Sequence, residues 1–444
     1  MTNPFSSDDF VWIAGIEDTC VYPAAGFAME PLDEYDLTEH SANWMSDLQL
    51  VHDLGATSVR YGVNWPLVHT ARNEYDWSML DERFQFAGNA LGLTVIADLV
   101  HYGTPTWLAD AFADPDYPDV VAEFAGAFAA RYRGLVDHIT PLNEPITTAS
   151  FCGLRGVWPP ALTGWAGWTA VTMNIARGIS RSIHAIRAAN PDAVIVHVEA
   201  SSLYGTADEA LKHHSVHLQE LGTLPTDLVL GFVSEHHPQY PWLIANGARA
   251  SELAELVANP PTIDLLGVNY YPMLTPRTLV AVAGAVDQVA TDGWTDGLAT
   301  ALRSFDDRYG LPLLITETSI EGDDETRKSW LDDSVASVHA LRDEGLDIRG
   351  YTWWPLLDFV DWSFASGGRN VEEFLVDDAV VASRTSSAAQ GREASGARSK
   401  TPFLRRMGLI RLDEQPDGSL VRTRTSAAER FATLASQAVQ DSNA

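Results

Sequence analysis

Cysteine is almost absent. Cys20 and Cys152 are the two in 444 residues, too few for a disulfide framework, which fits a reducing compartment. A single bridge between them stays open on the sequence alone. Basic residues are scarce too: 29 Lys and Arg stand against 60 Asp and Glu, a net charge of −31. That balance repels phosphate backbones and anionic lipid surfaces, and so argues against nucleic acid or membrane as a partner. No apolar run approaches a membrane span, the longest lying near residues 279–286. The first ten residues are polar and acidic, without the basic start and apolar core of a secretory signal. A cytoplasmic protein is the expectation. Also missing is the Gly-rich phosphate loop of a doubly wound nucleotide-binding sheet, since Ala14-Gly15-Ile16-Glu17 stands where it would fall.

What is present is a regular alternation. Short β-branched runs at 11–15, 57–62, 93–100, 139–143, 193–199, 265–270, 313–317 and 348–353 predict eight strands, several apolar at nearly every position. Amphipathic stretches between them predict helices over 39–54, 77–91, 119–133, 165–189, 208–221, 296–309 and 325–344, with a closing one at 426–438. Eight strand–helix units imply an α/β fold of the (β/α)8 TIM-barrel type, a single domain over 1–444. Residues 382–400 are poor in apolar side chains and rich in small and basic ones. They read as part of a mobile excursion at about 363–400 within the last connection, not as a linker.

In such a barrel, polar residues at the C-terminal strand ends converge on one mouth. The candidates are Arg60, His101-Tyr102, Asn143-Glu144, Asn269-Tyr270-Tyr271, Thr316-Glu317 and Trp353-Trp354. Each alone is ordinary, as an ion pair, a loop histidine or packing; six on one side are not. Glu144 and Glu317 close strands four and seven, which face each other across an eight-stranded barrel. Two opposed carboxyls beside aromatic platforms are the equipment for glycosidic-bond cleavage. A separation of about 5 Å predicts a covalent, retaining route and about 6.5 Å or more an inverting one.

The constellation resembles glycoside hydrolase family 1, the β-glucosidase-like retaining enzymes. The family's Thr-x-Asn-Glu-Pro motif is similar to Thr140-Pro141-Leu142-Asn143-Glu144-Pro145, with one extra residue. Its Ile-Thr-Glu-Asn-Gly motif resembles Ile315-Thr316-Glu317-Thr318-Ser319. Gly267-Val268-Asn269-Tyr270-Tyr271, the run from Gly350 to Asp358 and Arg406-Met407-Gly408-Leu409 match further segments. The resemblance implies an exo-acting β-glycosidase with Glu144 as acid/base and Glu317 as nucleophile. Arg60 and Tyr271 would hold Glu317 ionised. His101 and Asn143 would bind sugar hydroxyls, and Trp354 would carry the ring on an apolar platform. Asp361 stands where the family has a gripping glutamate, and the glutamine expected near 16–20 is absent. Both departures fall on the side that reads the far hydroxyls of the sugar, so the glycone need not be plain glucose. A 6-phosphosugar is disfavoured by Asp361 and the net charge, with Arg369 the one residue arguing for it.

The partner implied is a small-molecule glycoside or oligosaccharide. No cofactor and no metal are implied: His213 and His217 have helical i,i+4 spacing but lack an interposed Glu, and read as a solvated helix face. A transglycosylase using the same intermediate, and a sugar-binding barrel without turnover, are the alternatives. The sequence leaves the sugar, the aglycone and any homo-oligomer open.

Overall fold

The computed structural model describes residues 4–6, 10–282, 284–368 and 398–441. Eight parallel strands close into a barrel in sequence order: β1 Val11–Gly15, β2 Ser58–Gly62, β3 Thr94–Asp98, β4 His138–Thr140, β5 Val194–Ala200, β6 Leu265–Asn269, β7 Leu313–Thr318 and β8 Ile348–Trp353. The seam joins β8 to β1, with Val11 opposite Gly350 and Ala14 opposite Trp353. Every expected strand is found, because strands buried on both faces announce themselves as apolar runs. Val11 and Ile13, Ile96, Val196 and Val198, and Leu314 form one cluster with Phe5. Val194 of β5 and Leu265 of β6 complete it, and along β1 and β5 its members stand at alternate positions, as residues filling a barrel interior must.

Around the barrel run α1 His40–Asp53, α2 Ser78–Gln85, α3 Tyr117–Tyr132, α4 Gly164–Ala189, α5 Lys212–Val229, α6 Trp294–Tyr309, α7 Asp324–Asp343 and α8 Ser426–Asp441. In α3 the buried face includes Val120, Val121, Phe124, Phe128 and Tyr132, the spacing read from sequence. Helix α5 runs well past the expected end at Leu221 and carries Pro225 inside it. Burial of Leu218, Leu221, Leu224 and Leu228 outweighs the weak helix propensity of Gly222 and Pro225. Glycine is needed at 222, where a Cβ would sit 2.6 Å from Ser202 Cβ.

Not foreseen was a three-stranded sheet of Leu203–Gly205, Pro276–Val282 and Ala285–Ala290, built from the loops after β5 and β6. The apolar stretch near 279–286 is this hairpin. Both cysteines are buried and free, so the bridge left open is not formed. No helix among the described residues is long and apolar enough to cross a membrane. Of the expected excursion, only 363–368 and 398–400 fall within the described residues; Arg369 lies outside them.

Candidate active site

Local sequence aims the two carboxylates. Strand β4 stops at Thr140 because Pro141 has no N–H to donate. The chain returns to a parallel bridge at Asn143, opposite Val198. Glu144 then adopts a left-handed conformation, φ 46°, before Pro145 opens the short helix Pro145–Ala149. A non-glycine residue held there is strained, and such strain concentrates at functional sites. On the opposite side, the pairing of β7 shifts register between Val268 and Asn269 of β6, and between Ile315 and Thr318 against β8. Irregular pairing of this kind re-aims a side chain. Here it falls on Glu317.

Beneath Glu317 lies Arg60, fully buried at the end of β2. Its Nη1 donates to Glu317 Oε1 at 2.5 Å and to Glu17 Oε1 at 2.7 Å. Its Nη2 donates to Asp98 Oδ2 at 2.8 Å and to Asn143 Oδ1 at 2.7 Å. The Tyr271 hydroxyl donates to the other oxygen, Glu317 Oε2, at 2.7 Å. Three carboxylates therefore share one guanidinium. Burial pushes Glu17 well above the ordinary carboxylate range, against the pull of Arg60. Burial also raises Glu317, opposed by Arg60, His101 and the Tyr271 hydroxyl. Glu17 Oε2 has no hydrogen-bond partner among the described residues, whereas both oxygens of Glu317 are met by donors. Of the two, Glu317 alone has a donor on each carboxylate oxygen, the arrangement that favours its ionised form. His101 Nδ1 lies 2.9 Å from Asp98 Oδ2. Its burial disfavours the imidazolium, but the bond to Asp98 and the neighbouring carboxylates outweigh it and raise the pKa.

Glu144 has a different environment. Its Oε2 accepts from the Tyr102 hydroxyl at 2.5 Å and its Oε1 from Asn269 Nδ2 at 2.7 Å. Both donors are neutral. Asn143 Nδ2 in turn donates to the Tyr102 oxygen at 2.9 Å, and Tyr102 itself stands at φ 68°. Below, Glu199 accepts from the Ile146 amide at 3.1 Å and so ties down the turn that carries Glu144. Tyr102→Phe removes a donor to the ionised form of Glu144 without removing the ring. The variant is expected to lower kcat by about tenfold, with KM changed less. A kcat equal to the parent's would show that Tyr102 only packs.

One cavity collects the site. Glu144, Glu317, His101, Tyr271 and Trp354 all line it. Arg60 and Asn143 lie beneath and act through the hydrogen bonds above; Asn143, expected to bind a sugar hydroxyl, is instead committed to Arg60 and Tyr102. Asp361 is not brought to the cavity. Its Oδ2 pairs with Arg405 Nη1 at 3.1 Å and its Oδ1 accepts from the Ser363 amide at 2.9 Å, so it caps the turn Trp362–Phe364 instead of facing a sugar. From the same segment Phe359 and Trp362 line the cavity instead. Tyr102 and Asn269 were visible at strand ends but had no role assigned. Glu17 and Asp98 were not singled out, and only their place at the ends of β1 and β3 could have signalled them. Among the described residues no group of three or more His, Cys, Asp or Glu is arranged to hold a metal ion.

A family model described as glycosyl hydrolase family 1 matches residues 34–275. A bifunctional β-D-glucosidase/β-D-fucosidase of Bifidobacterium breve is 25% identical, over 73% of this chain and 80% of that protein. The chloroplastic galactolipid galactosyltransferase SFR2 of Arabidopsis thaliana is 23% identical, over 72% of this chain and 51% of its own length. In solved structures, the family 1 β-glucosidase of Thermotoga maritima superimposes with a TM-score of 0.77 at 17% identity, covering 97% of this chain and 98% of its own.

Proposed function

This chain belongs to glycosyl hydrolase family 1 and is a glycoside hydrolase, and from that premise we propose that it releases single terminal sugars from β-glycosides with retention. Glu317 is the nucleophile and Glu144 the acid/base. One observation carries the assignment: both oxygens of Glu317 are held by Arg60 and Tyr271, while Glu144 is held by neutral donors. A carboxylate gripped on both oxygens by a cation and a hydroxyl is preorganised to attack the anomeric carbon. A carboxyl held only by neutral groups can carry a proton to the leaving oxygen and later take one from water. Trp354 and His101 line the same cavity and supply the ring platform and a hydroxyl partner.

A panel of 4-nitrophenyl α- and β-glycosides, followed by proton NMR of the first product formed, tests this reading. The β-glycosides alone are expected to turn over, with the β-anomer appearing first. An α-anomer appearing first, or no turnover of any β-glycoside, would sink it. The similarity to a plant galactosyltransferase favours a second reading, transfer of the sugar to an alcohol. Added butanol then gives the butyl β-glycoside in place of free sugar.

A further inference from the structure

We propose that Asp98 is a positioning residue of the reaction, the group that sets His101 against one hydroxyl of the sugar. The inference rests on the β-glycosidase reading and adds a specificity-determining residue to it. Asp98 closes β3, and the strand's alternation aims its side chain. Ile96, two residues earlier, belongs to the cluster that fills the barrel interior, and side chains two apart on a strand share a face. Asp98 therefore lies inside the barrel, where it is fully buried. One carboxylate oxygen makes both of its bonds. Oδ2 accepts from Arg60 Nη2 at 2.8 Å and from His101 Nδ1 at 2.9 Å, while Oδ1 has no hydrogen-bond partner among the described residues. A carboxylate taken out of water with one oxygen unmet weakens a fold, so packing does not account for Asp98. Its two donors do, since Arg60 is bonded to Glu317 and His101 lines the cavity.

The other contacts of the imidazole do not fix its tautomer. Nε2 lies 3.3 Å from Asn143 Nδ2, a longer contact, and the Tyr102 ring packs edge-on with centroids 4.5 Å apart. The bond to Asp98 is decisive. A carboxylate only accepts, so Nδ1 carries a hydrogen and Nε2 is the nitrogen left for a sugar hydroxyl. The backbone on either side is pinned: the Leu99 amide donates to the Thr140 carbonyl at 2.9 Å, and the Asn143 amide to the Val100 carbonyl at 2.9 Å. Orientation of the ring therefore depends on the side chain at 98 and not on movement of the loop. The two arms of Asp98 differ in what they affect. Arg60 acts on Glu317 whichever glycoside is bound, so its arm bears on every substrate alike. His101 meets one hydroxyl, so its arm bears on that hydroxyl alone.

Asp98→Asn keeps the shape but removes the charge, and its amide can donate to Nδ1 and select the other tautomer. The measurement is kcat/KM of the full chain on the 4-nitrophenyl β-glycoside selected by the panel and on each of its monodeoxy analogues. The ratio of the two does not depend on the fraction of folded protein. His101→Phe is expected to reduce discrimination against one analogue by about tenfold. Asp98→Asn should do the same at the same position and leave the other ratios within about twofold. Asp98→Glu keeps the charge but displaces it by one methylene, and is expected to lose the same discrimination; it decides the matter if Asp98→Asn does not fold. Ratios equal to the parent's in the Asp98 variants, or lowered at every position, overturn the inference. So do unchanged ratios in His101→Phe, or Asp98 variants inactive on every analogue. With β-glycosides turned over by the parent and the ratios unchanged, the inference fails alone. With none turned over, the β-glycosidase reading fails and takes the inference with it.

Discussion

Glu317→Ala is expected to lower kcat/KM on 4-nitrophenyl β-glycosides by about 10⁴-fold or more, because on the proposed assignment it removes the nucleophile and with it the covalent route. Sodium azide should restore part of that rate and yield the α-glycosyl azide. The geometry says why. Alanine vacates the space of a carboxylate but leaves Arg60 Nη1 and the Tyr271 hydroxyl, which met its two oxygens at 2.5 and 2.7 Å. A small anion entering there is held by the same two donors on the face of the sugar that Glu317 attacked. One displacement from that face inverts the anomeric centre. Glu144→Ala gives the opposite signature: azide then attacks the glycosyl-enzyme from the leaving-group side and yields the β-azide. A Glu317→Ala variant within about tenfold of the parent, or one giving the β-azide, would show that the roles are misassigned.

Arg60→Met is expected to cost both activity and stability. The side chain is fully buried and bonded to Glu17, Asp98, Glu317 and Asn143. Removing one partner from a buried ion pair typically costs about 3–5 kcal/mol, because the remaining charge is left uncompensated. Three carboxylates are left here, and the native state avoids the full penalty only by binding protons. Burial already raises Glu17 and Glu317 against the pull of Arg60; without that cation they take up protons more readily in the folded than in the unfolded chain, so stability falls as pH rises through their folded-state titration. The deficit in denaturant midpoint should therefore be larger at pH 8 than at pH 5. Arg60→Lys should recover part of the stability but little of the activity. One ammonium cannot reproduce the fork that reaches Glu17 and Glu317 with one nitrogen and Asp98 and Asn143 with the other. A midpoint deficit that shrinks with rising pH would refute the account of the cluster.

Glu17 also bears on how far a departure from the family pattern can be read. The sequence shows an acid and no glutamine near the end of β1, and Asp361 in place of a gripping glutamate. Both looked like changes at the far hydroxyls of the sugar. The structure separates them. Glu17 lies under Glu317 on Arg60, and Asp361 is turned to Arg405 and the turn it caps. The aromatic rings of Phe359 and Trp362 line the cavity instead.

The sequence by itself determined the barrel, its eight strands, most of its helices and the two strand ends that carry Glu144 and Glu317. These are legible because they are local: burial on both faces makes a strand an apolar run, burial on one face gives a helix its period, and the C-terminal ends of barrel strands all point to one mouth. Only the tertiary structure decided which groups hold which carboxylate. Arg60 reaches Glu17 across 43 residues and Glu317 across 257, and Tyr102 reaches Glu144 across 42. The same is true of the cavity, whose lining brings Trp168 of α4 and Leu218 of α5 together with the strand ends that carry Glu144 and Glu317. No periodicity encodes such meetings, since they depend on where packing sets one element against another.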